Sequence, residues 1–465
     1  MVRGVQLRPL LFLALTVGLP LAAPAQDNPP LTLARAIEIA LERQPTLAGA
    51  AATKDSAAQR VKQAKTRFGP SVTPSFTYQS QAILGGSVTN IINGVPVTQP
   101  ANRTVDTRQQ ELTTTYRLFD TGARKLNLRQ SEQALSAAEF AELSTRQTVI
   151  GNVATNYYSV LRNRALVKVS QAQVERAENA KKLIEAQVEA RVGARKDILQ
   201  ADADLQNARV SLLQAQNNVQ VAEAQLRSAM GALDIPSLDL ADVVAPSAQT
   251  PVVVAPVIGE ETDDVRVLEK LQSFALNARP DLSQARMGVA QSETGLASAR
   301  VSARPQLNID LNDRQQFDAK NNPLKRASET RIFALSFSSP LYDGGNLKAQ
   351  VKASEASLRS SKAQFENQKQ QVSVEVEQNW RSLQLARASL PAAEAAQKAA
   401  QINYDAAIAA RKEGVGDITA VIQAQTSLVQ AQINYVQAIY NFYTADAQLA
   451  RSVGLAEKII GDRKS

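Results

Sequence analysis

Side chains that could do chemistry are scarce in this 465-residue chain, which contains no cysteine and no histidine. Their absence removes disulfides, thiol nucleophiles, imidazole acid–base catalysis and most zinc or copper sites together. What remains is carboxylate. Asp197, Asp202, Asp204 and Asp417 gather beside two glycine turns, Val192-Gly193-Ala194 and Val415-Gly416-Asp417. Acids there can sit on a solvated helix face or interact with the dipole at a helix start, and nothing pairs them in a cleft for hydrolysis. Asp120 and Asp343 form a second set, as Asp120-Thr121-Gly122 and Asp343-Gly344-Gly345. An acid before glycine and then a long helical segment suits a cap at a sharp exit from a strand. There is no glycine-rich phosphate loop, and no His or Met cluster marks a soft-metal site. The sequence therefore predicts no catalytic residue, no cofactor and no metal.

These residues recur because the chain is written twice. Phe119-Asp120-Thr121-Gly122 matches Tyr342-Asp343-Gly344-Gly345, Gly193 matches Gly416 and Gly231 matches Gly454, each pair 223 positions apart. Upstream the spacing is 235, since Pro45 pairs with Pro280 and Pro70 with Pro305. The extra twelve residues of the first copy fall in its Gly/Asn-rich stretch Gly85 to Pro100. Such repetition says that the fold comprises two like units.

The predicted first unit, 26–231, holds helices at about 31–66, 123–190 and 196–231 and strands at about 71–84 and 104–118. A Pro-rich linker, 232–263, leads to the second unit, 264–455. Its helices are expected at about 264–302, 346–411 and 417–453, its strands at about 306–314 and 330–339, with a tail at 456–465. Pro391 predicts a kink in the second long helix. In the medium helices Ile198, Leu205, Leu212, Val219 and Leu226 fall seven apart, with alanine three residues after each. Val421, Leu428, Tyr435, Phe442 and Leu449 repeat the pattern. This is a coiled-coil seam whose alanines let the backbones approach closely.

The strands alternate. Val72, Pro74, Phe76 and Tyr78 share one face and Ser71, Thr73, Ser75 and Thr77 the other; Phe333, Leu335 and Phe337 repeat this against Ala334, Ser336 and Ser338. Strands of about ten residues with one apolar and one wet face suit a membrane barrel. Four strands cannot close one, so the barrel reading requires several chains. Arg3 and Arg8, an apolar run Leu10 to Leu19 and Ala23-Pro24-Ala25 predict a secretory signal peptide over 1–25. The net charge of +8 is scattered along helices with no basic block among aromatics, which argues against nucleic acid.

Export, the duplicated helix-hairpin-helix-helix unit and the Phe-Asp-x-Gly and Tyr-Asp-Gly-Gly junctions together resemble the TolC family of outer-membrane efflux proteins. Arg279-Pro280-Asp281-Leu282, Pro340-Leu341-Tyr342-Asp343-Gly344-Gly345 and the two Val-Gly turns carry the resemblance across roughly 30 to 455. It implies a mainly α fold with a membrane β-barrel: a homotrimer whose twelve-stranded barrel in the outer-membrane lipid continues as a periplasmic tunnel of twelve helices. Such a channel passes substrates outward from an inner-membrane RND, ABC or MFS-type transporter through a periplasmic adaptor, in efflux or type I secretion. The resemblance places adaptor docking at Val192, Gly193, Ala194, Val415 and Gly416. It sets the periplasmic gate among Asp197, Gln200, Asp417, Ala420 and Gln423, where the family's acidic pair aligns with Ala420 and Gln423. Asp120, Gly122, Asp343, Gly344 and Gly345 are expected to be structural. The competing reading is a secreted coiled-coil scaffold or adhesion protein without channel activity.

Overall fold

The computed structural model describes residues 30–461 except 101–102, 192–193, 237, 248–249, 260, 303, 319–325 and 414. The predicted signal peptide lies outside the described residues. Helices α1 (Leu33–Arg43) and α2 (Pro45–Thr66) open the first unit, where the sequence predicts one helix over 31–66. The break has a steric cause. Proline disfavours helical backbone in the residue before it, so Gln44 is extended (ψ 118°) and Pro45 starts the next helix at a position needing no N–H donor. The second unit repeats this at Arg279-Pro280, dividing the predicted 264–302 helix into α6 (Asp264–Ala278) and α7 (Pro280–Val301).

Strands β1 (Ser71–Ile83) and β4 (Arg103–Phe119) of the first unit, with β5 (Gln306–Asp318) and β6 (Arg326–Ser338) of the second, form one antiparallel sheet in the order β1-β4-β5-β6. The twelve-residue surplus lies within a separate hairpin of β2 (Ser87–Ile92) and β3 (Val95–Pro100), which composition alone marks only as a Gly/Asn-rich stretch. Its turn, Asn93-Gly94, has positive φ at both residues, the pattern of a two-residue hairpin loop.

From the sheet run two long helices, α3 (Ala123–Glu189) and α8 (Asn346–Lys412), each 67 residues and about 100 Å at ~1.5 Å per residue. Each folds back as a 36-residue helix, α4 (Arg195–Met230) or α9 (Ile418–Val453). α8 is continuous through Pro391. The heptad positions face inward: Ala201, Leu205, Ala208, Ala222 and Leu226 are buried on α4, and Val421, Ala424, Leu428, Ala438, Phe442 and Leu449 on α9.

The main core lies at mid-height, where the two units meet under the linker. Tyr158 stacks on Tyr443 with ring centroids 5.2 Å apart, joining α3 to α9. The linker, with a short helix α5 (Ala255–Ile258), is strapped on by hydrogen bonds to its backbone. The Tyr157 hydroxyl approaches the Ala241 carbonyl at 2.8 Å, Tyr443 donates to the Val244 carbonyl at 2.5 Å, and buried Asp446 accepts from the Val253 N–H at 3.0 Å. A last turn, α10 (Lys458–Gly461), closes the described chain.

Candidate functional site

Two ends of the rods matter, the junction with the sheet and the distal tip. At the junction both units build the same cap. The Asp120 carboxylate accepts from the Gly122 N–H (3.1 Å) and the Arg124 N–H (2.9 Å), and pairs with the Arg124 guanidinium at 2.8 Å. Burial raises the Asp120 carboxyl's affinity for its proton, but these donors win and its pKa lies below the ordinary value. Asp343 accepts from the Gly345 N–H (3.0 Å) and the Leu347 N–H (2.5 Å). Gly122 (φ 94°) and Gly345 (φ 89°) are left-handed N-caps, so the exit needs glycine there. One position earlier the copies differ: Gly344 has φ 69°, whereas Thr121 adopts φ 54° and donates its hydroxyl to the Pro305 carbonyl at 2.8 Å.

The sheet presents the alternation outward. Val72, Phe76, Tyr78, Phe333, Leu335 and Phe337 are all more than half exposed on one face. On the same face Asp313 and Arg331 form an ion pair at 3.6 Å in the row of Pro74 and Leu112, and Arg108 lies 5.7 Å from the Tyr78 ring centroid, so charged side chains stand beside the apolar ones. The other face is laced with polar contacts: Asn312 donates to Glu111, Gln109 donates to Glu111 at 2.9 Å, and Arg117 donates to Asn308 at 3.2 Å. Strands β1 and β6 keep one edge each without a partner strand among the described residues.

At the tip, α3 ends with Arg191 in the left-handed region, and Val192 and Gly193 lie outside the described residues. Ala194 is the N-cap of α4. Val415 is 85% exposed beside Gly416, whose N–H donates to the Ala410 carbonyl at 3.0 Å. A Cβ at Gly416 would stand 2.8 Å from the Arg411 nitrogen and 3.0 Å from the Ala410 carbonyl carbon. This glycine permits close backbone approach.

Of the expected gate residues, Gln200, Ala420, Gln423 and Asp417 are exposed. A hydrogen bond from the Thr419 hydroxyl holds the Asp417 carboxyl below its usual range. Asp197 is different. It is 9% exposed and accepts from the Arg411 guanidinium at 3.3 Å, so it is no free carboxylate facing water. The same guanidinium donates to the Gly416 carbonyl at 3.1 Å, and Gln187 donates to the Arg411 carbonyl at 3.3 Å. Arg411 thus ties the second unit's turn to the first unit's tip, and nothing in the local sequence singled it out. Below it Ile184 and Ala201 pack on Ile418 across the units. Next come Gln425, donating to Asp204 at 3.3 Å, and Arg176, donating to Gln432 at 3.1 Å. Burial pushes the Asp204 carboxyl up against the opposing effect of Gln425, and burial lowers the Arg176 guanidinium from its ordinary value.

A half-open four-stranded sheet with an apolar outer band, continued by coiled-coil hairpins about 50 Å long, is an outer-membrane channel fold. The chain belongs to the outer membrane efflux protein family, whose model matches residues 36–232 and 271–455. No curated protein matches it in sequence. Among solved structures, CusC, described in terms of folding and transmembrane channel formation, superposes with a TM-score of 0.74 at 16% identity, covering 91% of this chain and 92% of that one. The Campylobacter jejuni outer-membrane channel CmeC gives 0.74 at 15% identity, with 91% and 86% covered. The Vibrio cholerae outer-membrane protein VceC gives 0.70 at 19% identity, with 91% and 96% covered. At these identities the likeness is one of fold. The protein is an outer-membrane efflux channel extending into the periplasm, and the scaffold or adhesin reading gains no support.

Proposed function

We propose that three copies of this chain form the exit duct of a tripartite efflux or type I secretion system, working with a periplasmic adaptor and an inner-membrane transporter of RND, ABC or MFS type. The observation that carries the assembly is the open sheet. Strand edges cannot be left bare in lipid, so β1 and β6 must pair with other copies. Two copies would supply eight strands, and an eight-stranded interior is filled by its own side chains. Three supply twelve, wide enough for a wet lumen lined by the Thr, Asn, Gln and Arg face, and their α3, α4, α8 and α9 helices supply the twelve rods of a tunnel. Ala194 and the Val415-Gly416 turn stand at the free end of those rods, and there, together with Val192 and Gly193, which lie outside the described residues, an adaptor would dock.

The Asp197–Arg411 bridge acts as the clamp of that end. It crosses between the two hairpins of one chain, so any dilation that separates them breaks it. A charge-assisted hydrogen bond worth about 1.5–3 kcal/mol biases a closed state roughly ten- to a hundredfold. Single-channel recording in planar bilayers tests this. Asp197→Ala and Arg411→Ala should each raise the open probability, and Asp417→Ala, whose carboxylate is exposed, should not. Wild-type conductance and open probability in both clamp variants would discard the assignment.

A further inference from the structure

The two units are in contact within the chain through α3 of the first and α7, α9 of the second. If copies of the chain close a ring, α8 must meet α2 and α4 of the next copy by the same rule. That step rests on the ring assembly proposed above. What the structure adds is a set of in-chain contacts whose equivalents can be read residue by residue at the repeat spacing.

Three contacts translate, all at mid-height. Gln147 donates to the Gly454 carbonyl at 3.1 Å, and the equivalent positions are Gln370 and Gly231, the same residue types. Arg146 pairs with Glu457 at 2.7 Å, and the equivalents are Lys369 and Asp234, with the same signs of charge. Gly151 faces Arg451 so closely that a Cβ would lie 3.6 Å from the Arg451 Cβ and 2.7 Å from its Cδ. There the equivalents exchange size: Val374 stands for the glycine and Ser228 for the arginine. A small residue opposite a large one is replaced by a larger residue opposite a small one.

The surfaces concerned are open in the single chain. Val374 is 52% exposed, and Gln370 and Ser228 are exposed. Beside Ser228 lies a groove of about 590 Å³, whose lining includes Gln44, Thr46 and Asn152. Their counterparts Arg279, Asp281 and Glu375, with Arg451, line a gap of about 30 Å³ closed by α3. The occupied site is charged and the open one neutral. Asp281 pairs with Arg279 at 2.7 Å and Arg279 with Glu375 at 2.7 Å, a network that has no ionisable equivalent in the first unit.

We propose that this neutral groove between α2 and α4 is the seat of α8 from a second copy, in the register that sets Val374 of one copy against Ser228 of the next, Gln370 against the Gly231 carbonyl and Lys369 against Asp234. Subunits are therefore joined mid-height by the same kinds of contact as the two units of each chain, a neutral polar bond and one exposed ion pair, but α8 lies over a neutral groove where α3 lies over the second unit's own charged network.

The chain has no cysteine, so introduced ones are unique. The in-chain Cβ separation of 3.6 Å at the equivalent site is disulfide geometry. In native membranes, the Val374→Cys/Ser228→Cys double variant should oxidise to covalent trimers on non-reducing gels, with each single variant and the Leu385→Cys/Ser228→Cys pair giving none. A charge exchange supplies a second measurement: Lys369→Glu and Asp234→Lys singly should lower the heat resistance of the trimer, and together recover part of the loss, the remainder reflecting the in-chain pairs of Asp234 with Arg43 at 3.2 Å and of Lys369 with Glu366 at 2.9 Å. Native trimers of the double variant with no disulfide between positions 374 and 228, or charge effects that simply add, would overturn the register. Absence of any trimer from the wild-type protein would overturn the ring assembly itself.

Discussion

At the scale of single residues the two copies run a controlled comparison. The strand-to-helix exit needs left-handed backbone at two successive positions, and the second copy supplies glycine at both, Gly344 and Gly345. The first copy places Thr121 in that region and compensates with a hydrogen bond to Pro305. A β-branched residue there costs about 1–2 kcal/mol. Gly344→Thr should therefore lower stability by about that amount, whereas Thr121→Gly should change it by less, since relief of strain and loss of the bond oppose each other. Thermal unfolding of the two variants in detergent checks the ordering. The capping role of Asp120 and Asp343 was legible because acid, glycine and helix follow one another in the chain. The role of Asp197 was not, because its partner Arg411 is 214 positions away.

At the scale of elements, the seven-residue pattern decided what packs. Alanine at Ala201, Ala208 and Ala222 is buried where α4 lies along α3. With Ala208 fully buried, Ala208→Leu would force the backbones apart and cost about 1–3 kcal/mol. The same change at exposed Gln206 should be nearly silent, and differential scanning calorimetry of both would show whether the seam is as tight as the pattern says. The proline breaks were available in the sequence as well. Pro45 and Pro280 stand at equal places in the repeats, yet apolar periodicity runs through both and masks the interruption. The β2–β3 hairpin was missed for a different reason: its composition is that of a loop, and Asn93-Gly94 is a strong turn signal only when its flanks are read as strands.

At the scale of the whole molecule, charge divides the chain's own seam from its open groove. Burial works to raise the Asp281 carboxyl, but Arg279 prevails and its pKa is lowered from 3.8. A depressed carboxyl contributes stability that is present above its unfolded pKa and is lost as pH falls through the folded value. The packing of α7 on α8 within the second unit, beneath α3, should therefore weaken below about pH 4, and Asp281→Asn should lose that pH dependence while being less stable at neutral pH. Melting temperatures of the two proteins at pH 7 and pH 3 measure it; parallel shifts would show that Asp281 has no part in acid unfolding.

Periodicity and repetition are properties of the chain itself, so the sequence alone determined the duplicated architecture, the coiled-coil seams and the two-faced strands. It also determined that one chain is too little to enclose a pore, since four strands are counted without knowing where they lie. Contacts between residues hundreds of positions apart leave no periodic trace. Only the tertiary structure decided that Asp197 is held by Arg411, that the linker is strapped over Tyr157, Tyr443 and Asp446, and that a charged site in one unit faces α3 while its neutral twin stands open. Those facts depend on which rods lie side by side, and that is set by packing in three dimensions.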